Sequence, residues 1–319
     1  MGRMLGFVGV PGSGLGAGGR GSRRRLHRCR AFSDNLIGVH YLVFSGSLEE
    51  SDVRKAAAGA KEAGYDVLEL PMMDVDMDTR MIKGVLDEYG LVSTGSLGLW
   101  GDADISSTDL EAVKKGEEVL QAALSNTEAL GSKFLGGVIY SALTKYAGPP
   151  TEEGIANSIS VLKPLAQRAS SLGIKLGIEN ANRFETNLLN TVEDSCRFID
   201  KIGEDSLVVH ADTYHMNIEE DNMANAIRAN HERIGYMHVG SSHRGYLGSG
   251  SVDFPSVFEA LADVDYSGVI TFESFSARIV HPKLSSSLAI WKEKWVDSAD
   301  VAIKAREFIR KEMAAAVRK

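Results

Sequence analysis

The stretch Lys175-Leu-Gly-Ile-Glu179 is a short, mostly apolar run that ends in a carboxylate, and three similar runs follow it along the chain. They are Val208-Val-His-Ala-Asp212, Ile234-Gly-Tyr-Met-His238 and Val269-Ile-Thr-Phe-Glu273. Their last residues are 33, 26 and 35 positions apart, and each interval is about the length of one strand–helix unit. The runs therefore predict four consecutive parallel strands that each end in a potential metal ligand.

Apolar runs alternate with helical patterns along most of the chain, and eight of each can be assigned. Strict alternation of eight strands and eight helices predicts the α/β class and a single (β/α)8 barrel. The first strand is expected at Leu36–Phe44, and a helix at Leu48–Gly64 is expected to be capped by Ser45 or Ser47. The last helix is expected to be a single one over Leu284–Lys311. The alternative fold is an open doubly wound sheet, which typically has fewer strands.

Charge is distributed unevenly. Residues 1–33 contain seven arginines and no acidic residue, which leaves 28 basic against 43 acidic side chains in the rest of the 319-residue chain. Such an acidic body repels phosphate backbones, so a nucleic-acid partner is not expected. The arginine-rich segment is typical of an organelle transit peptide. We therefore predict an extension over residues 1–34 and a catalytic barrel over residues 35–319.

The location follows from the same observations. The extension predicts a plastid or a mitochondrion, and without it the protein is expected in the cytoplasm. No run reaches the roughly 18 uninterrupted apolar residues of a membrane span, so no membrane association is expected. Only two cysteines are present, which indicates a reducing, intracellular compartment rather than a disulfide framework.

The four strand ends predict a metal site. Active sites of such barrels lie where strands end, so Glu179, Asp212, His238 and Glu273 should converge. Convergent carboxylates repel unless a cation lies between them. One nitrogen and three carboxylate ligands, without a thiolate, favour Mn²⁺, Mg²⁺ or Co²⁺ over structural zinc.

Polar residues follow these strands closely in the chain. Glu185, His215 and Arg244 lie in the predicted loops after the strands and are expected to contact a polyhydroxylated substrate. An ion pair between Arg183 and Glu185 at the surface is the alternative for those two residues. Apolar and aromatic residues at other strand ends could face the less polar side of a sugar or belong to the core; they are Tyr41, Leu97, Trp100 and Tyr140.

The motifs around these residues resemble those of a known family. They are Ile178-Glu-Asn-Ala-Asn-Arg-Phe-Glu185, Asp212-Thr-Tyr-His-Met-Asn-Ile-Glu-Glu220 and His238-Val-Gly, and they continue in Gly248-Ser-Gly-Ser-Val-Asp-Phe254. With them the chain resembles the ketose 3-epimerases, the D-tagatose and D-allulose 3-epimerase branch of the xylose isomerase-like TIM barrels, over roughly residues 36–310.

The resemblance implies an isomerase that inverts C3 of free ketoses, of the D-allulose/D-fructose and D-tagatose/D-sorbose type, through an enediolate. It implies that Glu179, Asp212, His238 and Glu273 bind one divalent metal ion, with Mn²⁺ preferred and Mg²⁺ or Co²⁺ as alternatives. It further implies that Glu179 and Glu273 form the acid/base pair. By the same resemblance Glu185, His215 and Arg244 hold the first hydroxyls of the ketose, and the protein assembles as a dimer or tetramer.

Other functions remain open at this point. A different sugar or sugar-phosphate isomerase, such as a hydroxypyruvate isomerase, would use the same barrel. A zinc-dependent apurinic-site nuclease would need more histidine ligands and a less acidic body. A metal-free sugar-binding module would not need four intact ligands.

Overall fold

The computed structural model of the protein describes residues 32–318. Eight parallel strands pair in sequence order and close into a barrel, with β1 hydrogen-bonded to β8, so the predicted (β/α)8 barrel is confirmed. The strands are β1 (Ile37–His40), β2 (Val67–Pro71), β3 (Val92–Leu99), β4 (Phe134–Ala142), β5 (Lys175–Glu179), β6 (Leu207–Asp212), β7 (Ile234–Val239) and β8 (Val269–Phe272).

Helices cover the outside of the barrel. They are α1 (Glu50–Glu62), α2 (Thr79–Tyr89), α3 (Leu110–Ala129), α4 (Glu152–Ser171), α5 (Val192–Ile202), α6 (Thr213–Glu219), α7 (Met223–Asn230), α8 (Phe254–Asp263), α9 (Pro282–Ser287) and α10 (Ser298–Ala316). No helix within residues 32–318 is both long and apolar enough to cross a membrane.

Side-chain caps explain where many helices begin. Thr191 accepts a hydrogen bond from the backbone N–H of Asp194, whose carboxylate accepts in turn from the Thr191 N–H. This reciprocal capping box satisfies two backbone donors that the first turn of α5 leaves without intrahelical partners. Asp253 caps α8 in a similar way and Pro255 lies in its first turn, as the sequence predicts.

Strand one and the first helix differ from their predicted bounds. The strand stops at His40 and gives way to a 3-10 turn over Tyr41–Val43, because His40 Nδ1 accepts a hydrogen bond from the Leu42 N–H. The helix begins at Glu50, and Glu49 occupies the cap position without a side-chain bond, so the prediction of Ser45 or Ser47 as the cap was wrong.

The prediction of a single final helix over Leu284–Lys311 was wrong as well. Two helices, α9 and α10, take its place. Ala289 has a φ of 53°, in the left-handed region, which a continuing helix does not allow. Asp297 then caps α10 by accepting from the N–H groups of Ala299 and Asp300. The short helix α6, which follows β6 without a loop, was also missed by the sequence pattern.

The described chain already packs against the barrel at Phe32, which is buried in the hydrophobic core. The carbonyl of Ser33 accepts a hydrogen bond from Arg310 Nη1 at 2.7 Å. Residues 1–31 of the predicted transit peptide lie outside the described range, and that prediction has no support from relatives. The domain boundary at residue 34 stays a prediction.

Candidate active site and metal centre

The four predicted ligands come together at the C-terminal mouth of the barrel. Glu179 and Asp212 end β5 and β6, His238 is the penultimate residue of β7, and Glu273 directly follows β8. All four are buried, and each offers a ligand atom within 4.8 Å of the others. His238 Nδ1 lies 3.7 Å from Glu179 Oε1 and 3.6 Å from Glu273 Oε1. The cluster is therefore small enough to surround one ion.

The imidazole of His238 is held in one orientation by Glu69, a residue of β2 on the other side of the barrel. His238 Nε2 lies 2.9 and 3.0 Å from the two oxygens of Glu69. The other ring nitrogen, Nδ1, is fully buried and has no hydrogen-bond partner among the described residues. Burial lowers the pKa of His238, but the carboxylates of Glu69 and Glu273 outweigh it and raise this pKa well above its ordinary value, so positive charge is favoured here. A buried ring nitrogen that faces carboxylates fits a ligand of a cation, and a carboxylate behind the ring is the usual support for a metal-bound histidine.

Glu69 is itself well supplied with hydrogen-bond donors. Ser96 Oγ and Tyr236 Oη each donate to it at 2.6 Å, in addition to the bond from His238. Burial alone raises the pKa of Glu69, but the neighbouring His238 more than offsets this and lowers the pKa well below its ordinary value. The carboxylate thus stays charged inside the barrel and fixes the proton of His238 on Nε2.

Arg244 partly neutralises the carboxylates of the cluster. Its Nη1 donates to Glu273 Oε2 and, at 3.1 Å, to Asp212 Oδ2. Burial raises the pKa of Glu179 to about 8. Burial also acts on Glu273, but the Arg244 guanidinium outweighs it and holds the pKa of Glu273 below its ordinary value. The two glutamates therefore differ in proton affinity, as a pair that exchanges acid and base roles requires.

The three residues predicted to contact substrate line the same pocket as Glu179 and Glu273. His215 Nδ1 accepts from the backbone N–H of Asn182 at 3.1 Å, which places the ring hydrogen on Nε2. That Nε2 lies 3.8 Å from Glu179 Oε1 and 3.6 Å from Asp212 Oδ2. Burial lowers the pKa of His215 to about 3, so the ring is a neutral donor at the edge of the cluster.

A family model described as xylose isomerase-like TIM barrel matches residues 57–312. An L-ribulose 3-epimerase from Methylomonas sp. is 48% identical over 282 residues, which cover 88% of this chain and 99% of the relative. A ketose 3-epimerase from Arthrobacter globiformis is 43% identical over 280 residues, 88% of this chain and 97% of the relative. The chain belongs to the ketose 3-epimerase family. It is therefore an isomerase.

A solved structure of this epimerase family has the same fold. The crystal structure of D-allulose 3-epimerase from Methylomonas sp. in complex with D-allulose superposes with a TM-score of 0.85. It shares 47% sequence identity and covers 87% of this chain and 98% of that one.

The alternative prediction of an ion pair between Arg183 and Glu185 is wrong for this epimerase. Arg183 pairs with Glu219, with Nη2 and Oε2 2.7 Å apart. Glu185 instead accepts a hydrogen bond at 2.9 Å from the side chain of Asn182, the residue whose backbone holds His215. Asn182 thus orients two of the three predicted substrate contacts at once.

The four apolar and aromatic candidates divide into three groups. Leu97 lines the same pocket as the epimerase cluster. Tyr41 and Trp100 line an adjoining cavity. Tyr140 is buried in the core and donates to the carbonyl of Leu189, so it does not face substrate.

Two buried residues of the site were missed by sequence reasoning. Glu69 is a lone acid inside the otherwise apolar strand β2, and that contrast was the available signal. His210 precedes Asp212 by two positions in β6 and so points to the same face of the strand. Both its ring nitrogens are buried without partners among the described residues, and Nδ1 lies 3.9 Å from Glu179 Oε2. Glu179, His210 and His238 form a second group of atoms close enough to hold an ion.

Proposed function

We propose that the protein is a metal-dependent epimerase that inverts C3 of free ketoses, such as D-allulose, D-fructose, D-tagatose and L-ribulose. The observation that carries this proposal is the unpartnered Nδ1 of His238, which lies 3.7 Å from Glu179 Oε1 and 3.6 Å from Glu273 Oε1. Inversion next to a carbonyl needs one group that removes a proton and another that returns one to the opposite face. Glu179 and Glu273 extend from β5 and β8, and the pocket lies between them.

The residues that would hold the cation are Glu179, Asp212, His238 and Glu273, and Mn²⁺ is the proposed ion, with Mg²⁺ or Co²⁺ as alternatives. When bound, such a cation supplies a Lewis acid that makes the C3 proton of an α-hydroxy ketone more acidic. The donor set, one imidazole and three carboxylates without thiolate, suits a hard or borderline ion.

The remaining steps belong to the protein side chains. In one direction Glu273, kept charged by Arg244, accepts the C3 proton and Glu179 donates a proton to the other face. In the other direction the two exchange roles. Each turnover moves the proton from one glutamate to the other, and exchange with solvent restores the starting state before the next turnover in the same direction. Arg244 and the Nε2–H of His215 donate to the substrate oxygens where negative charge develops as the enediolate forms. Glu185 accepts a hydrogen bond from a substrate hydroxyl and helps fix the orientation.

The decisive experiment is product analysis with a substrate panel. Metal-free protein is reconstituted with Mn²⁺, incubated with D-allulose, D-fructose, D-tagatose, L-ribulose and hydroxypyruvate in D₂O, and the products are separated and analysed by NMR. We expect C3 epimers that carry deuterium at C3, and no turnover after EDTA treatment. Isomerisation of hydroxypyruvate without any C3 epimer would replace this proposal with the alternative isomerase.

We also propose that the enzyme forms a dimer or tetramer, as the family resemblance implies. Light scattering on purified protein measures the mass directly, and a mass near that of the 34.4 kDa chain would exclude this assembly.

A further inference from the structure

A second cavity adjoins the pocket of the metal cluster. Its volume is about 960 Å³, at the upper end of the roughly 300–1,000 Å³ of small-molecule sites. The two spaces share Leu42, Pro71, Met73 and Leu284 in their walls, so they adjoin. A ligand that extends from the pocket into the cavity would pass between these shared side chains.

The cavity lies on the side of the mouth away from the proposed metal ligands. Its walls come from the segments that follow β1, β2 and β3 and from α9, whereas the ligands end β5 to β8. We infer that a ketose with C1 to C3 at the cluster directs its far end towards the cavity. Leu284 of α9 lies at the junction of the two spaces.

The lining is apolar and aromatic with a few hydroxyl groups. Leu48, Met73 and Trp100 supply the apolar surface, and Ser47 and Ser286 supply hydroxyls. Asp74 and His281 also lie in the wall, and the described lining residues include no lysine or arginine. A phosphate group would meet the Asp74 carboxylate and find no permanently charged cationic partner among the described lining residues, where His281 is the only side chain that can become positive. A neutral sugar ring suits these walls better, since it has both an apolar face and hydroxyl groups.

We propose that this cavity is a substrate subsite for an uncharged substituent, in particular a glycosyl group, attached to the ketose at O6. The proposal rests on the function proposed above and specifies its substrate class: free or O6-glycosylated ketoses rather than 6-phosphates. The metal cluster then acts on C3 while the cavity binds the group that does not react. Binding energy from such a remote group lowers KM and contributes to kcat/KM.

The test compares three substrates that differ only at O6: D-fructose, isomaltulose (6-O-glucosyl-fructose) and fructose 6-phosphate. We expect C3 epimerisation of isomaltulose with a kcat/KM at least equal to that of D-fructose, and a value for fructose 6-phosphate at least about tenfold lower. If D-fructose is epimerised but isomaltulose is not, the subsite is refuted and the epimerase function stands. If neither sugar is epimerised, the proposed function fails and the subsite with it.

A variant whose new side chain fills the cavity tests the same proposal without depending on intrinsic differences in reactivity between the sugars. Ser286 is exposed in α9 and lines the cavity but not the pocket of the cluster. Ser286→Trp should lower kcat/KM for isomaltulose by about tenfold and leave that for D-fructose within about twofold. Ser171→Trp, at the exposed end of α4, is the matched control and should change neither value.

Two outcomes of the variant experiment would overturn the subsite. Equal losses on both sugars, with an unchanged circular dichroism spectrum, would mean that the cavity does not act separately from the pocket. A change of mass in light scattering for Ser286→Trp, with isomaltulose turnover unaffected relative to D-fructose, would mean that a second copy of the chain covers the cavity.

Discussion

The two halves of the barrel mouth differ in chemistry. The half that ends β5 to β8 presents the buried cluster around His238, whose negative charges are partly neutralised by Arg244. The half that follows β1 to β4 presents mainly apolar side chains to the same pocket; they are Leu42, Pro71, Met73, Leu97, Val138 and Leu143. Directional, charged contacts on one half suit the reacting carbons, and non-directional contacts on the other tolerate variation in the remainder of a sugar. The difference indicates that chemistry and substrate choice are set by different halves.

The largest effect is expected from removing one glutamate of the reactive half. Glu273→Gln keeps the shape of the side chain but cannot accept a proton, so kcat for C3 epimerisation should fall by about a thousandfold or more. Turnover is measured with D-allulose, and folding by circular dichroism. Glu219→Gln, whose carboxylate pairs with Arg183 instead, is the matched control. If Glu273→Gln retained most of the activity, Glu273 would have no place in the mechanism.

The next largest effect is expected at Glu69. This residue does not fit the division into two halves, because it extends from β2 yet supports His238 of β7. Glu69→Gln keeps a hydrogen-bond acceptor for Nε2–H and removes the charge, so affinity for Mn²⁺ should fall by about 10–100-fold. Calorimetric titration of the metal-free protein gives this affinity without any assay of turnover. Ser96→Ala, which removes one donor to Glu69, should have a smaller effect. Unchanged metal affinity in Glu69→Gln would mean that Glu69 only fills the barrel interior.

A smaller effect is expected on the apolar half. Leu143 lines the pocket and is only partly buried, so Leu143→Ala should cost little stability. We expect KM for D-allulose to rise by up to about tenfold with kcat nearly unchanged, because the contact is equally strong in ground and transition states. Steady-state kinetics separates the two parameters. A fall in kcat with constant KM would contradict the division of roles.

The smallest effect concerns a residue outside both halves. Burial raises the pKa of the Cys196 thiol in α5 to about 11, above the roughly 8.5 of an unfolded chain. The contribution of this thiol to the stability of the folded state is therefore constant below about pH 8.5 and is lost as the pH rises through about 11. For the same reason, iodoacetamide should label Cys196 slowly at pH 8. Mass spectrometry of the Cys196 peptide measures labelling, with denatured protein as the control. Equal labelling of folded and denatured protein at pH 8 would contradict the raised pKa.

The sequence predicted the parts of the site that repeat along the chain. Glu179, Asp212 and Glu273 could be found because each follows an apolar run at the interval of one strand–helix unit. Glu69 and His210 escaped because they lie within strands, where a polar residue is visible only if its inward direction and its partners from other strands are known. Glu69 meets Tyr236 and His238 across 167 and 169 positions of the chain, and no local pattern contains such contacts.

The ends of helices and strands were harder to predict from the sequence for a related reason. The break between α9 and α10 depends on the left-handed conformation of Ala289, a residue with high helix propensity. The tertiary setting overrides that propensity. Strand one was predicted too long because Tyr41, Leu42 and Val43 are apolar and buried, and burial by itself does not distinguish a strand from a 3-10 turn.

The two carboxylate oxygens of Asp212 have different hydrogen-bond partners. Oδ1 accepts at 2.7 Å from the Tyr214 N–H and so starts α6, while Oδ2 faces Arg244. The turn of chain that carries His215 is consequently built on the same carboxylate that borders the cluster. Replacement of this aspartate by an aliphatic residue would change both the charge at the mouth and the start of the helix beside it, whereas asparagine would remove the charge and keep an oxygen for the Tyr214 N–H.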